Sequence, residues 1–88
     1  MSTLAKKLEV YESVAVEVSF KDDMICLTLT DGREVRTPLE FYPRLAKANK
    51  KQLEKFRFIA GGTGIHWEDL DEDLSVESIV LGHRANNF

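Results

Sequence analysis

A single cysteine, Cys26, stands among 88 residues, so an internal disulfide is excluded, and no zinc-ligand spacing surrounds it. A reducing, cytoplasmic setting is the expectation this raises. Long apolar runs are missing too. None approaches the ~18 residues that a spanning helix needs, and Met1-Ser2-Thr3-Leu4-Ala5-Lys6-Lys7 lacks the uninterrupted apolar stretch of a secretory signal. A soluble chain with no membrane partner is expected. Positive charge is not in excess: 12 Lys and Arg face 15 Asp and Glu, for a net charge of −3. That balance argues against a general binder of phosphate backbones, which concentrates positive charge.

What is present is ordinary globular material, 43% hydrophobic and 31% charged, in a length that fits one small domain. Residues 13–82 carry the pattern of that domain. Residues 1–12, with Leu4, Leu8 and Tyr11 at helical spacing, read as an N-terminal helix or arm, and residues 83–88 as a frayed tail.

From Val14 the hydrophobic period is two. Val14, Val16, Val18 and Phe20 form one inward row, Ile25, Leu27 and Leu29 a second, and Val35, Thr37 and Leu39 a third, which predicts a three-stranded antiparallel meander. Asp31-Gly32 would ordinarily mark a two-residue turn, but that register sets Leu29 opposite Glu34 and Leu27 opposite Arg36. A three-residue loop, Thr30-Asp31-Gly32, pairs Leu29 with Arg33, Leu27 with Val35 and Ile25 with Thr37. It keeps the apolar rows together and predicts a left-handed Gly32.

Pro43 suits the first turn of a helix, and Asn49 with Gln52 three residues on has the pattern of a capping box. Two short helices, 42–47 and 50–56, are therefore expected. Residues 57–60 return to strand, Gly61-Gly62-Thr63-Gly64 turns, and Ile65-His66-Trp67 runs extended, a further hairpin or strand pair. Ser75 caps a short C-terminal helix, 76–81, stopped by Gly82. The fold class is α+β.

Chemistry has few places to reside. Asp69, Asp71 and Asp73 alternate as in the start of a calcium loop, but Leu74 stands where that loop needs glycine and Val80 where it needs glutamate. The glycine turn lacks the lysine and hydroxyl residue of a phosphate loop. Cys26 has no general base beside it in sequence. No catalytic or metal site and no cofactor is expected. Arg44, Lys47, Lys50, Lys51, Lys55 and Arg57 make the helical stretch locally basic, which is ordinarily a solvated face. Against it stands residues 68–73, with five carboxylates in six positions. A helix start uses only those nearest Ser75, so the remainder points to recognition of a basic partner.

Three segments resemble the bacterial domain-of-unknown-function family numbered 2442. They are Phe20 with Leu29-Thr30-Asp31-Gly32-Arg33, the run Phe41-Tyr42-Pro43-Arg44-Leu45-Ala46-Lys47-Ala48, and Gly61-Gly62-Thr63-Gly64-Ile65-His66-Trp67-Glu68-Asp69-Leu70-Asp71-Glu72-Asp73-Leu74-Ser75-Val76-Glu77-Ser78-Ile79. The last is the most specific. The resemblance implies a small α+β domain with no defined catalytic residue, in a family associated with mobile DNA and with toxin-antitoxin-like gene pairs. It adds weight to the segment from Ile65 to Ser75.

The resulting expectation is a non-enzymatic protein-interaction module, antitoxin-like, that offers His66, Trp67, Glu68, Asp69, Asp71, Glu72 and Asp73 to a basic protein partner or to a second copy of itself. Two rivals are kept: a small metal-dependent enzyme using His66 with Asp69 or Asp71, and a nucleic-acid accessory domain using the basic face from Arg44 to Arg57.

Overall fold

A computed structural model describes residues 13–85, so the N-terminal helix or arm expected over 1–12 and the last three residues of the tail lie outside the described residues. Two three-stranded antiparallel sheets, ordered β1-β2-β3 and β4-β5-β6, are joined by short helices. The first sheet comprises β1 (Ala15–Lys21), β2 (Met24–Leu29) and β3 (Glu34–Pro38). Its second hairpin has the register that the apolar rows require: Leu27 opposite Val35 and Ile25 opposite Thr37. The N–H of Leu29 donates to the carbonyl of Arg33 at 2.9 Å, and Gly32 sits at φ 93°. This is the left-handed glycine of a three-residue loop.

The first strand departs from the expected row. Ala15 pairs with Leu29 and Glu17 with Thr28, so Val16 is the extra residue of a β-bulge. The bulge turns Ala15 into the core and leaves Val16 55% exposed, while Val18 and Phe20 keep the inward face. Period-two reading fails at Val16 because a bulge adds one residue to the alternation.

After Pro38 a single 3-10 turn leads to α1 (Pro43–Ala46), with Pro43 in the first turn, and then to α2 (Lys50–Leu53). Asn49 Oδ1 accepts from the Gln52 N–H at 2.8 Å and Gln52 Oε1 accepts from the Asn49 N–H at 3.0 Å, which completes the capping box. The second helix is shorter than expected. Phe56 is drawn out of it into β4 (Phe56–Ile59), where it pairs with Trp67 of β5 (Gly64–Trp67). Between β4 and β5 the loop closes against the first sheet. Gly62, at φ 94°, approaches so closely that a Cβ there would lie 2.8 Å from Val14 Cγ1 and 3.0 Å from the Ala15 carbonyl.

The second sheet has a third strand, β6 (Glu72–Ser75), formed by the end of the acidic stretch. It follows a four-residue turn, since Trp67 pairs with Glu72. Ser75 then caps α3 (Val76–Leu81), its Oγ accepting from the Ser78 N–H at 3.0 Å, and Gly82 ends the helix in the left-handed region. The tail is docked as far as Ala85, whose N–H donates to the Phe41 carbonyl at 3.0 Å, rather than frayed from His83.

One core serves both sheets. Ile25, Leu27 and Leu29 of β2, Tyr42 and Leu45 beside and within α1, Leu53 of α2, Ile65 and Trp67 of β5, and Val76 and Ile79 of α3 are all buried in a single cluster. Each large apolar side chain so buried contributes roughly 1.5–3 kcal/mol. Phe20 and Phe56 meet edge to face at 6.4 Å between centroids, coupling β1 to β4.

Candidate functional site

Strand alternation in the second sheet sorts its residues onto two faces. Trp67, Ile65 and Phe56 turn inward. Arg57, His66 and Asp73 are cross-strand neighbours on β4, β5 and β6 and share the outer face. The three form a row of cation, imidazole and carboxylate. Directly opposed side chains in antiparallel strands lie within interaction distance, and here they connect. The His66 ring donates from Nδ1 to the Asp73 carboxylate and from Nε2 to Glu68 Oε1 at 3.2 Å. Arg57 Nη2 lies 3.6 Å from the same Glu68 oxygen.

Two carboxylates at opposite nitrogens favour a ring protonated at both. The hydrogen bond to Asp73 is the main cause that holds the His66 pKa above its ordinary value of 6.5, with partial desolvation and Arg57 opposing. His66 thus bridges the turn and β6.

The two charge clusters of the sequence meet. Lys55 Nζ lies 3.6 Å from Asp69 Oδ2, and Arg44 Nη1 lies 3.7 Å from Glu72 Oε1 while donating to the Asp71 carbonyl at 2.5 Å. Antiparallel pairing of β4 with β5 folds the basic stretch back beside the acidic one. Repulsion among the carboxylates is thereby relieved partly within the chain. The pairs that Lys55 and Arg57 make with Asp69 and Glu68 are long and exposed, each worth roughly 0–1 kcal/mol, so they do not lock the acidic turn away. The side chains of Glu68, Asp69 and Asp73 remain 78%, 45% and 67% exposed.

Of the residues expected at the surface, Trp67 is not there. It is fully buried, and its indole N–H donates to the Leu53 carbonyl at 3.0 Å, so it anchors β5 to α2 from beneath. Glu72 is half-buried, and burial pushes its carboxyl above the ordinary value, with Arg44 opposing. Asp71 is the exception among the five acids. It occupies the left-handed region at φ 51°, and among the described residues its carboxylate has no ion-pair partner.

The grouping of His66 with Asp69 or Asp71 is not assembled: Asp69 faces Lys55, Asp71 is held through its carbonyl, and His66 turns to Asp73 and Glu68. Among the described residues no three His, Cys, Asp or Glu side chains are placed to hold a metal ion, and no helix is long and apolar enough to cross a membrane. The basic face is likewise interrupted, since Arg44, Lys55 and Arg57 each face a carboxylate and Lys50 pairs with Glu54 at 4.0 Å. Sequence reasoning missed Arg57 as part of the site. Its signal was available once the hairpin was drawn, because Arg57 falls opposite His66.

Two solved structures share the fold. A crystal structure of a protein of unknown function from Rhodospirillum rubrum is 25% identical with a TM-score of 0.76, over 88% of this chain and 95% of that one. A solution structure of an uncharacterized protein from Chromobacterium violaceum is 23% identical with a TM-score of 0.72, over 97% of this chain and 79% of that one. No curated protein matches the chain. The sequence profile described as "Protein of unknown function (DUF2442)" matches residues 15–85, the whole of both sheets and the docked tail, and the chain therefore belongs to that family.

Proposed function

We propose that the chain is a non-enzymatic protein-interaction module whose contact surface is the acidic turn between β5 and β6 together with the outer row of the second sheet. His66, Glu68, Asp69, Asp71 and Asp73 make the contact, and the partner presents cationic side chains. An antitoxin-like role is one setting for such a module, consistent with the family resemblance.

The observation that carries this reading is Asp71. A non-glycine residue in the left-handed region costs roughly 1–3 kcal/mol and persists only where its surroundings hold it. Arg44 holds it, through the 2.5 Å bond to its carbonyl, while among the described residues its carboxylate has no cation. The other four acids each have at least one basic side chain within reach. A strained turn that keeps one carboxylate uncompensated amid weakly paired neighbours suits electrostatic steering of a basic partner.

Capture on immobilised chain, comparing the native sequence with a Glu68→Gln, Asp69→Asn, Asp71→Asn variant, tests the reading. The variant is expected to stay folded and to lose retention of the partner, with the native contact weakening as salt rises. Equal retention by both, at low and physiological salt alike, contradicts it.

A further inference from the structure

The first sheet buries Ile25, Leu27 and Leu29 of β2 on its inner side, so Met24, Cys26 and Thr28 point to the outer one. The two ladders arrange that outer face in three rows: Lys21, Met24 and Pro38, then Ser19, Cys26 and Arg36, then Glu17, Thr28 and Glu34. The two sheets treat their outer charges differently. On the second, Arg57, His66 and Asp73 are linked within the chain, with Glu68 between the first two. On the first, Glu17, Lys21, Glu34 and Arg36 are all exposed, and among the described residues none of the four has an ion-pair partner. Glu17 accepts only from the Thr28 hydroxyl, at 3.4 Å.

The unpaired charges are also sorted by sign. Each edge strand carries its carboxylate in the Thr28 row and its cation one or two rows toward the other end, Glu17 before Lys21 on β1 and Glu34 before Arg36 on β3. A face polarised along its strands is complementary to itself when one copy is turned end for end.

We propose that this face is the contact between two copies of the chain, stacked sheet on sheet about a two-fold axis that lies in the interface and crosses the strands close to Cys26. Glu17 of each copy then meets Lys21 of the other, and Glu34 meets Arg36. The axis runs level with Ser19 on β1 and with Val35 on β3, midway within each pair. That inclination makes the stacked strands cross at roughly 40°, close to the ~30° usual for aligned sheets. Met24, Cys26 and Thr28, half-buried on the central strand, form the middle of the contact and the charges its rim. Three strands of this length present a plane of roughly 300 Å² per copy, well below the ~800 Å² per partner of a standard interface. The dimer is therefore weak and depends on its charges. The acidic turn belongs to the other sheet and takes no part in it.

Sedimentation equilibrium of the full chain, from micromolar to millimolar concentration, tests this together with a short bis-maleimide linker. Cys26 is the one cysteine of the sequence, so any cross-link joins two copies, and sheets stacked ~10 Å apart hold the two backbones too far apart for a disulfide. A monomer–dimer equilibrium that weakens with salt and yields the cross-linked dimer is expected. Glu17→Lys places like charges at both symmetry-related pairs and should weaken dimerisation about tenfold. Adding Lys21→Glu reverses each pair in place, returns the net charge to its native value and should restore the dimer. Both residues are exposed, so the replacements leave the fold intact. A monomeric mass at every concentration, with the face left to solvent or to residues 1–12, overturns the proposal. So does a dimer that Glu17→Lys leaves unchanged or that the double replacement fails to restore.

Discussion

His66 and Asp73 face each other across the β5–β6 ladder, and the imidazole Nδ1–H donates to the Asp73 carboxylate. This bond ties the acidic segment to the central strand of its sheet. It also makes the charge on His66 part of the fold.

Stability should therefore depend on pH. The folded pKa of His66 is raised above 6.5, so the folded state holds the proton more tightly than the unfolded chain does. The contribution is complete below pH 6.5 and is lost as pH rises through the folded value. Melting temperature should fall across that window, and His66→Gln should flatten the fall. A profile identical in the variant would show that the bridge does not titrate. Glu72, also raised, contributes in the same direction from its ordinary value of 4.5 upward.

Gly62→Ala should be among the costliest small changes in the chain. A Cβ there meets Val14 Cγ1 at 2.8 Å and the Ala15 carbonyl at 3.0 Å, at φ 94°. Gly32→Ala, at φ 93° with nothing within 4 Å, carries the backbone strain alone. Denaturant unfolding should show about 1 kcal/mol lost at Gly32 and roughly 1–3 kcal/mol more at Gly62. Equal losses would mean that the two sheets do not meet as closely as described.

Tyr42→Phe should raise stability by ~1 kcal/mol, because it removes a buried hydroxyl with no partner among the described residues while keeping the ring. Burial also lifts the Tyr42 phenol above its ordinary value of 10.0. A destabilised variant would show that the hydroxyl is satisfied in solution.

Much of this architecture is legible in the residues. The register of β2 against β3 follows from refusing to place Glu34 and Arg36 in the core, and Asn49 with Gln52 announces the capping box. Three features escape such reading for separate reasons. The bulge at Val16 depends on the strand that pairs with it. Strand β6 forms from Glu72 and Asp73, residue types poor in strand propensity, because the ladder of β5 and burial beside Leu74 outweigh their preference. The neutralisation of the acids by Arg57, Lys55 and Arg44 is non-local, visible only once β4 is folded against β5. For the site, Glu68, Asp69, Asp71 and Asp73 lie at the surface, with His66 half-buried on the outer face of β5. Trp67 does not, since an indole on the inward phase of a strand satisfies its N–H on Leu53.

Asp71 separates a structural turn from a recognition turn. Asp71→Gly relieves the left-handed strain and removes the unpaired carboxylate together, so stability should hold or rise by up to ~1 kcal/mol. The decisive measurement is the association rate of this variant and of the native chain with the captured partner, followed against salt concentration. The account predicts a slower rate and a shallower salt dependence for Asp71→Gly at undiminished stability. The same rate and salt slope in both proteins would contradict it.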